Sequence, residues 1–331
     1  MLDFIFAVSL IILLCLYLSL SFQNRENYFV NDNRYDAARN FNIVHSLSEN
    51  PFYYSLIGNA YYKHPPVLFY LLLIPYEIFG SVFSMSVFMS LLSLITVIMI
   101  YFFIKELFDV KTAVFTAIFV GFSPLFFMMS YQFMFSIFTV FFTVITVYAY
   151  AIAIKKNKLS YFCLAGILGG FMLLTKTVLG IVYIGIGIHV LLANHKDVFR
   201  LFKGDLFDNI ISKFLFSFLI ALLLFSPWVL YQKINNGGYD WLAEHNCEYG
   251  FLDCSKFPRT LYFSEMTSQF GYVLSLFIIL GLIFFIHNLI KRRVKNELYF
   301  FSPLSQSFCS FSYGMLRHIG IFSLYSHFMY T

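Results

Sequence analysis

The sequence predicts an all-α, polytopic membrane protein, and two observations lead to this prediction: the composition and the length of the apolar segments. Of the 331 residues, 60% are hydrophobic and only 12% are charged. Soluble domains average about twice that charged fraction. Several windows of about 20 residues carry almost no charge, and a helix of that length crosses a hydrocarbon core of about 30 Å. The alternating pattern of membrane β-strands is absent from these windows.

Eight apolar segments are predicted as transmembrane helices, which indicates a bundle of about eight or more spans. The first also resembles a signal peptide. It lacks a basic leading region, however, and its apolar core is longer than the 7 to about 15 residues of such peptides, so we interpret it as an uncleaved helix. The predicted spans cover residues 2–22, 82–104, 112–130, 133–154, 159–175, 177–194, 214–232 and 269–290.

Basic residues are concentrated in four connectors between these spans. The connectors are KELFDVK at 105–111, KKNK at 155–158, the stretch 195–213 and KRRVK at 291–295, and they hold 13 of the 22 Lys and Arg residues. Short cytoplasmic loops carry such an excess of positive charge. We therefore predict that the N-terminus and these connectors are cytoplasmic. The net charge of +5 comes largely from these orienting connectors, so it does not indicate binding to nucleic acid. No nucleic-acid-binding module is recognisable in the sequence.

The segment 66–81 is apolar but too short to cross a bilayer comfortably. It follows the double proline of YYKHPP at 61–66, and its length is typical of re-entrant or interfacial segments. If it crossed the membrane, every later basic connector would lie outside. We therefore predict a helix that rests on the outer membrane surface.

The predicted membrane domain covers residues 1–297 and carries two long outer loops, at about 23–81 and 233–268. Loops of this length in a compact protein are usually functional. In the second loop, pairing of Cys247 with Cys254 would need an oxidising compartment. Residues 298–331 form an atypical tail without a clean span.

Two carboxylates follow the first span in NDNRYDAARN at 31–40. Asp32 and Asp36 are four residues apart, so in a helix that starts near Asn33 they share a side or lie at its cap. Capping alone explains one acid. The alternative is a catalytic carboxylate at the bilayer surface, where partial desolvation raises the pKa of an acid towards the range useful for removing a proton.

Three cationic side chains are candidates for binding a lipid phosphate. Lys63 and His64 precede the double proline, which directs a cation to the level of lipid phosphates. Simple snorkelling to headgroups is the other interpretation. Lys176 lies between two apolar stretches, where an ionisable residue is costly and is a candidate functional residue. It is also consistent with a residue that marks topology in a tight outer turn.

The order of these segments resembles the polyprenyl-phosphate-dependent glycosyltransferases of the family that includes dolichyl-phosphate-mannose protein mannosyltransferases and the aminoarabinose transferase acting on lipid A. The resemblance covers roughly residues 1–260 and rests on several elements in order. These are an acidic helix after the first span, KHPP before a surface helix, LFD beside a basic residue, SPL and S-Y near an outer turn, LTK followed by LG, and SPW before an outer loop.

The resemblance implies a glycosyltransferase C superfamily bundle whose first outer loop carries the catalytic acid. The family has an Asp-Glu pair three residues before a tyrosine, and here Asn31 and Asp32 precede Tyr35. Asp32 is therefore the first choice for the catalytic carboxylate, and Asp36 is the second. Lys63 matches the family's lysine before the prolines, and His64 matches relatives with a His-Pro-Pro sequence.

Asn31 replaces the first acid of the family's pair with an amide, and two further departures from the family pattern also bear on activity. The family's second acid is expected near Ser136, where this sequence has no acid. Relatives also continue for further spans, whereas the tail 298–331 suggests a truncated or degenerate end.

The resemblance implies transfer of a sugar from a polyprenyl phosphate, dolichyl or undecaprenyl, to a hydroxyl of a protein or lipid on the extracytoplasmic face of a prokaryotic plasma membrane. A catalytically inactive remnant or scaffold is an alternative, favoured by the missing acid. A transporter is a further alternative, although it would need ionisable residues near the midplane of several spans. We predict no nucleotide cofactor, because a phosphate-binding glycine loop is absent. A divalent metal is left open, since His45, His64, His245 and the loop cysteines lack the spacing of metal ligands but do not decide the question.

Overall fold

The computed structural model describes residues 2–23, 34–50, 55–56, 59–60, 65–193 and 209–236, and within them the protein is a helical bundle with one short pair of strands. Helices suit a bilayer because each one pairs its own backbone groups. The elements are α1 Leu2–Gln23, α2 Arg34–Glu49, β1 Ser55–Leu56, β2 Asn59–Ala60, α3 Val67–Phe79, α4 Val82–Leu107, α5 Val110–Gly121, α6 Pro124–Met129, α7 Phe135–Lys156, α8 Leu159–Leu173, a 3-10 turn Thr177–Leu179, α9 Gly180–Ala193 and α10 Ile210–Asn236.

Four of these helices, α1, α4, α7 and α10, are long and apolar enough to cross a membrane. The helices α3, α5, α8 and α9 are apolar but shorter. The predicted all-α membrane class is confirmed. The span predicted at 269–290, the tail and the cysteine pair Cys247 and Cys254 lie outside the described residues. The total number of spans therefore stays a prediction.

The described parts of three basic connectors meet at one end of the bundle, which we call the basic end. Lys155, in the last turn of α7, forms an ion pair with Glu106 of α4. The Nζ of Lys213, near the start of α10, donates to the main-chain oxygen and to the Oδ1 of Asn157, at 2.9 Å in each case. These contacts join the connectors that begin at Lys105, at Lys155 and before α10, as the charge pattern predicts.

The N-terminal helix begins at the same end. The hydroxyl of Tyr101 donates to Oδ1 of Asp3 at 3.0 Å, and Lys105 donates to the oxygen of Tyr101 at 3.3 Å. The first turn of α1 is therefore fixed to the last turns of α4. This arrangement agrees with the prediction that the N-terminus shares a side with the basic connectors.

Helix α3 has both of its ends at the opposite end of the bundle. Its first amide, on Val67, donates to the carbonyl of Leu174 at 3.4 Å, and Leu174 follows α8, which runs away from the basic end. Near its last turn, the carbonyl of Pro75 accepts a hydrogen bond from the hydroxyl of Ser84 at 2.8 Å, and Ser84 is in the first turn of α4. A helix with this placement does not cross the bundle, as predicted for residues 66–81.

The segment predicted as one span at 112–130 is two helices, which corrects the sequence-based boundary. Helix α5 ends at Gly121 and α6 begins at Pro124. The Oγ of Ser123 accepts a hydrogen bond from the amide of Phe126, so Ser123 is the N-cap of α6. Proline is favoured at the first helical position because its missing N–H would have no partner there.

Small residues allow close packing between the helices. Gly166 and Gly170 of α8 lie against α10, where a Cβ on Gly170 would be 2.8 Å from atoms of Leu224. Ser21 of α1 shares hydrogen bonds with Ser86 and Ser90 of α4 at 3.1 and 2.9 Å. Without a hydrophobic driving force between helices in lipid, such close backbone approach and shared hydroxyl contacts hold the bundle together.

Candidate active site

The turn between α6 and α7, residues 130–134, lies at the end opposite the basic end, and we call it the outer turn. Helix α4 fixes it through two serine hydroxyls. Ser86 donates to the carbonyl of Tyr131 at 2.6 Å, and Ser93 donates to the carbonyl of Ser130 at 3.3 Å. The turn leads into the first residues of α7, where Ser136 is partly buried. Ser136 therefore stands at a rigidly held position.

Helix α2 packs against the outer turn through a buried asparagine. The Nδ2 of Asn40 donates to the carbonyl of Phe133 at 3.0 Å. Asn40 is fully buried, as are Ile43, Val44 and Leu47, and this spacing of three and four residues defines one face of a helix. Position 36 is one turn before Asn40, so it extends the same face towards the start of α2.

The start of α3 and the turn that holds Lys176 are neighbours. The contact between Val67 N and Leu174 O, 3.4 Å long, joins them directly. Lys176 follows two residues after Leu174 and is partly buried. His64 precedes Val67 by three residues, so its Cα lies within about 11 Å of the Cα of Val67. Val67 and Leu174 are more than 100 residues apart in the sequence, and the fold brings their backbones together.

Helix α3 also contacts the start of α7 and the middle of α2. The rings of Phe69 and Phe135 meet edge to face, with centroids 5.6 Å apart. Nδ1 of His45 lies 3.1 Å from the hydroxyl of Tyr76, and the ring of Phe41 meets the Tyr76 ring at 5.9 Å. Helices α2 and α3 thus form one surface layer over the outer turn. Partial burial in this layer raises the pKa of Tyr70 above its usual value.

The structure places some of the predicted site residues and leaves others as predictions. Lys176 and Ser136 are at the same end of the bundle as the start of α3. Asp36 is in α2, as predicted, although its side chain lies outside the described part of the chain. Asp32, Lys63 and His64 also lie outside the described residues, so their roles stay predictions.

Asn40 and the serines of α4 are not among the site residues that the sequence predicts. The signal for Asn40 was its spacing, since it follows Asp36 by four residues. Ser86 gave no local signal, because serine is common in packed membrane helices.

The comparison with known families decides which family the protein belongs to. The sequence profile of the dolichyl-phosphate-mannose-protein mannosyltransferase family matches residues 63–231, about half of the chain. The protein belongs to this family. The matched region begins at Lys63 and includes the outer turn, Lys176 and most of α10, so it contains most of the geometry described above. No curated protein matches the chain.

Solved structures show the same fold at low sequence identity. The apo oligosaccharyltransferase of Archaeoglobus fulgidus matches with a TM-score of 0.53 and 17% identity over 93% of this chain and 50% of that protein. The same enzyme tethered to an acceptor peptide with the NVT sequon matches with a TM-score of 0.51 and 15% identity over 93% and 49%.

ArnT from Cupriavidus metallidurans in the apo state matches with a TM-score of 0.50 and 12% identity over 84% of this chain and 54% of that protein. The chain thus spans about half the length of the solved structures that it resembles. The mannosyltransferase-family protein shares the glycosyltransferase C fold with them.

Proposed function

We propose that the protein transfers a sugar from a polyprenyl phosphate to a hydroxyl group of a protein or lipid at the extracytoplasmic face of the membrane. The observation that carries the proposal is the contact of Val67 with Leu174. It places the residues after KHPP beside the turn with Lys176, at the end of the bundle opposite the basic connectors. Membership of the mannosyltransferase family supports the class of donor.

The phosphate of the donor is proposed to bind between the start of α3 and the Lys176 turn. Lys63 and His64 would approach it from one segment and Lys176 from the other. A cation that meets a phosphate at a partly dehydrated surface forms charge-assisted hydrogen bonds, which are about twice as strong as neutral ones. The same cations would stabilise the charge that develops on the phosphate as it leaves.

The carboxylate at position 32 or 36 is proposed as the general base. It would take the proton of the acceptor hydroxyl while the hydroxyl oxygen forms a bond to the anomeric carbon of the sugar. The bond between that carbon and the phosphate oxygen breaks in the same step, and the lipid phosphate leaves with the electron pair. A direct displacement of this kind inverts the anomeric centre.

The orientation of the membrane domain is part of the proposal. The basic end carries the lysine-rich connectors that favour the cytoplasm, so the outer turn faces the other side. A surface helix without charged residues before Glu77 suits the outer leaflet, where a lipid-linked donor would reach the site from the membrane plane.

The test is a transfer assay with purified protein in lipid nanodiscs. Radiolabelled dolichyl- and undecaprenyl-phosphate sugars are offered with peptide and lipid acceptors. We expect the native protein to transfer label, and either Asp32→Asn or Asp36→Asn to slow transfer by a factor of about 100 or more, the contribution of a general base. Glu49→Gln, the same acid-to-amide change at the far end of α2, serves as the control and should retain activity.

Three results would count against the proposal. Transfer that neither Asp32→Asn nor Asp36→Asn lowers removes the assignment of the base. A native protein that transfers no label from any of these donors supports the inactive scaffold instead. Uptake of labelled sugar into sealed vesicles without transfer supports a transporter.

A further inference from the structure

We infer that Asn40 is a positioning residue that sets the register of α2 against the outer turn. The inference rests on the proposed function, because it assigns Asn40 the task of holding the carboxylate at position 36 at the site. Asn40 itself touches neither donor nor acceptor in this scheme. It acts through the helix that carries Asp36.

The hydrogen bond of Asn40 connects two elements that are distant in sequence. Its Nδ2 donates to the carbonyl of Phe133 at 3.0 Å, and the side chain is fully buried. The same turn is fixed from α4 by Ser86 and Ser93. The position of the outer turn is therefore set by α4. Asn40 connects α2 to this turn through a hydrogen bond, which is directional, whereas contacts of its apolar neighbours are not.

Packing alone leaves the axial position of α2 loosely defined. The other buried residues of the same face, Ile43, Val44 and Leu47, are aliphatic, and contacts between aliphatic side chains are non-directional. A hydrogen bond with defined distance and angle selects one position along the axis. Asn40 supplies that bond to the outer turn, and the contact of His45 with Tyr76 joins α2 to α3 instead. Position 36 is one helical turn from Asn40, so an axial shift at Asn40 displaces position 36 by the same amount.

Within the described part of the chain, the Asn40 carboxamide forms a hydrogen bond through its nitrogen and none through its oxygen. Its Oδ1 is buried and has no hydrogen-bond partner within the described part of the chain. A buried acceptor without a partner costs free energy, whereas an apolar residue of similar size avoids that cost. Leucine would remove the cost of this oxygen but would also take the Nδ2 donor away from the buried carbonyl of Phe133. The two effects on stability have opposite signs, so we expect a small net change and explain the asparagine by the directional bond of its Nδ2 group.

The test compares Asn40→Leu with Asn42→Leu, the same substitution at an exposed position of the same helix. A displacement of about 1 Å at a catalytic group can lower the rate by about 100-fold. We expect Asn40→Leu to lower kcat by about 10- to 100-fold, with the KM for the lipid donor and the thermal unfolding midpoint nearly unchanged. Asn42→Leu should match the native protein in all three.

A second measurement is independent of activity. Cysteines are introduced as Asp36→Cys and Ser136→Cys in a background without the native cysteines, and a short bismaleimide joins them. We expect efficient cross-linking with Asn40 present and a fall of several-fold with Asn40→Leu. Asn42→Leu should leave the yield unchanged.

The outcomes separate the two proposals. If the Asp substitutions abolish transfer while Asn40→Leu keeps the native kcat and cross-linking yield, the role of Asn40 is wrong and the proposed function stands. If Asn40→Leu lowers the unfolding midpoint, kcat and cross-linking together, Asn40 is a structural residue only. If the native protein transfers no sugar but the cross-link depends on Asn40, the proposed function fails and the register assignment remains.

Discussion

Single polar side chains fix the connectors at the basic end. Asp109 caps α5: its Oδ1 accepts from the amide of Thr112 and its Oδ2 from the hydroxyl of the same residue, both at 2.9 Å. These hydrogen bonds, helped by the charge of Lys111, hold the pKa of the Asp109 carboxyl below its usual value. Asn157 ends α7 with a φ of 49°, in the left-handed region, and is held there by Lys213.

Replacement of the α5 cap should lower stability in a way that depends on pH. The carboxylate form of Asp109 makes the capping bonds, and its pKa is lower in the folded protein than in the unfolded chain. Its contribution is therefore complete above the unfolded pKa of about 4 and is lost as the pH falls through the folded value. We expect Asp109→Ala to lower the unfolding midpoint at pH 7, and the difference from the native protein to shrink below about pH 4.

The measurement is thermal unfolding in detergent between pH 3 and pH 7. Asp109→Asn is the control, because asparagine caps helices as well as aspartate but does not titrate. If the difference in unfolding midpoint between Asp109→Ala and the native protein stays constant from pH 3 to pH 7, the ionisation of Asp109 does not contribute to stability and the prediction is wrong.

At the scale of elements, helix α8 approaches α10 closely at Gly166 and Gly170. Gly166 faces the backbone oxygen of Ser217, whose hydroxyl donates to the carbonyl of Phe162 at 2.6 Å and pairs with the hydroxyl of Tyr150 at 2.7 Å. This hydroxyl network joins α7, α8 and α10. Its geometry is possible only because no side chain separates α8 from α10 at Gly166.

Gly166→Ala should destabilise the bundle. A Cβ at this position would collide with the backbone oxygen of Ser217, which cannot rotate away, so the helices must separate. We expect a loss of about 1–3 kcal/mol, the usual range for overpacking, seen as a lower unfolding midpoint in detergent. Gly180→Ala is the matched control, because its Cβ would meet nothing closer than 3.7 Å. Equal midpoints for the two variants would contradict the packing.

At the scale of the whole molecule, the two ends of the bundle differ in chemistry. The basic end gathers the lysine-rich connectors and the start of α1, while the opposite end gathers α2, α3, the outer turn and Lys176. The Asp, Glu, Lys and Arg residues of the described part of the chain lie towards these two ends, and this is not the pattern of ionisable residues near the midplane that a path through the membrane would need.

Labelling of introduced cysteines should report opposite sides for Lys156→Cys and Lys176→Cys. Lys156 lies in the basic connector after α7 and Lys176 follows α8, which leads to the other end. In intact cells we expect a membrane-impermeant maleimide to label Lys176→Cys at once and Lys156→Cys only after permeabilisation, because the positive connectors remain inside.

The native cysteines are first replaced by serine so that only the new thiol reacts. Labelling of both positions from the same side would contradict the bundle itself. If Lys156→Cys reacts in intact cells and Lys176→Cys only after permeabilisation, the arrangement of the helices stands but the site faces the cytoplasm, which contradicts the proposed orientation.

The sequence by itself determined the class of fold, the positions of most helices and the grouping of the connectors. These properties depend on hydropathy, charge and proline over short windows, and the bilayer imposes them on each segment separately. The same averaging explains the error at residues 112–130: the window is apolar throughout, so it hides the stop and restart of the helix at Ser123 and Pro124.

Only the tertiary structure decided which residues meet at the candidate site. The pairs of Val67 with Leu174 and of Asn40 with Phe133 are about 100 residues apart in the chain. Their contact depends on how α2 and α3 pack over the outer turn, which no local pattern specifies. Hydropathy assigns a segment to the membrane or to its surface, but directional hydrogen bonds and side-chain shape select its neighbours.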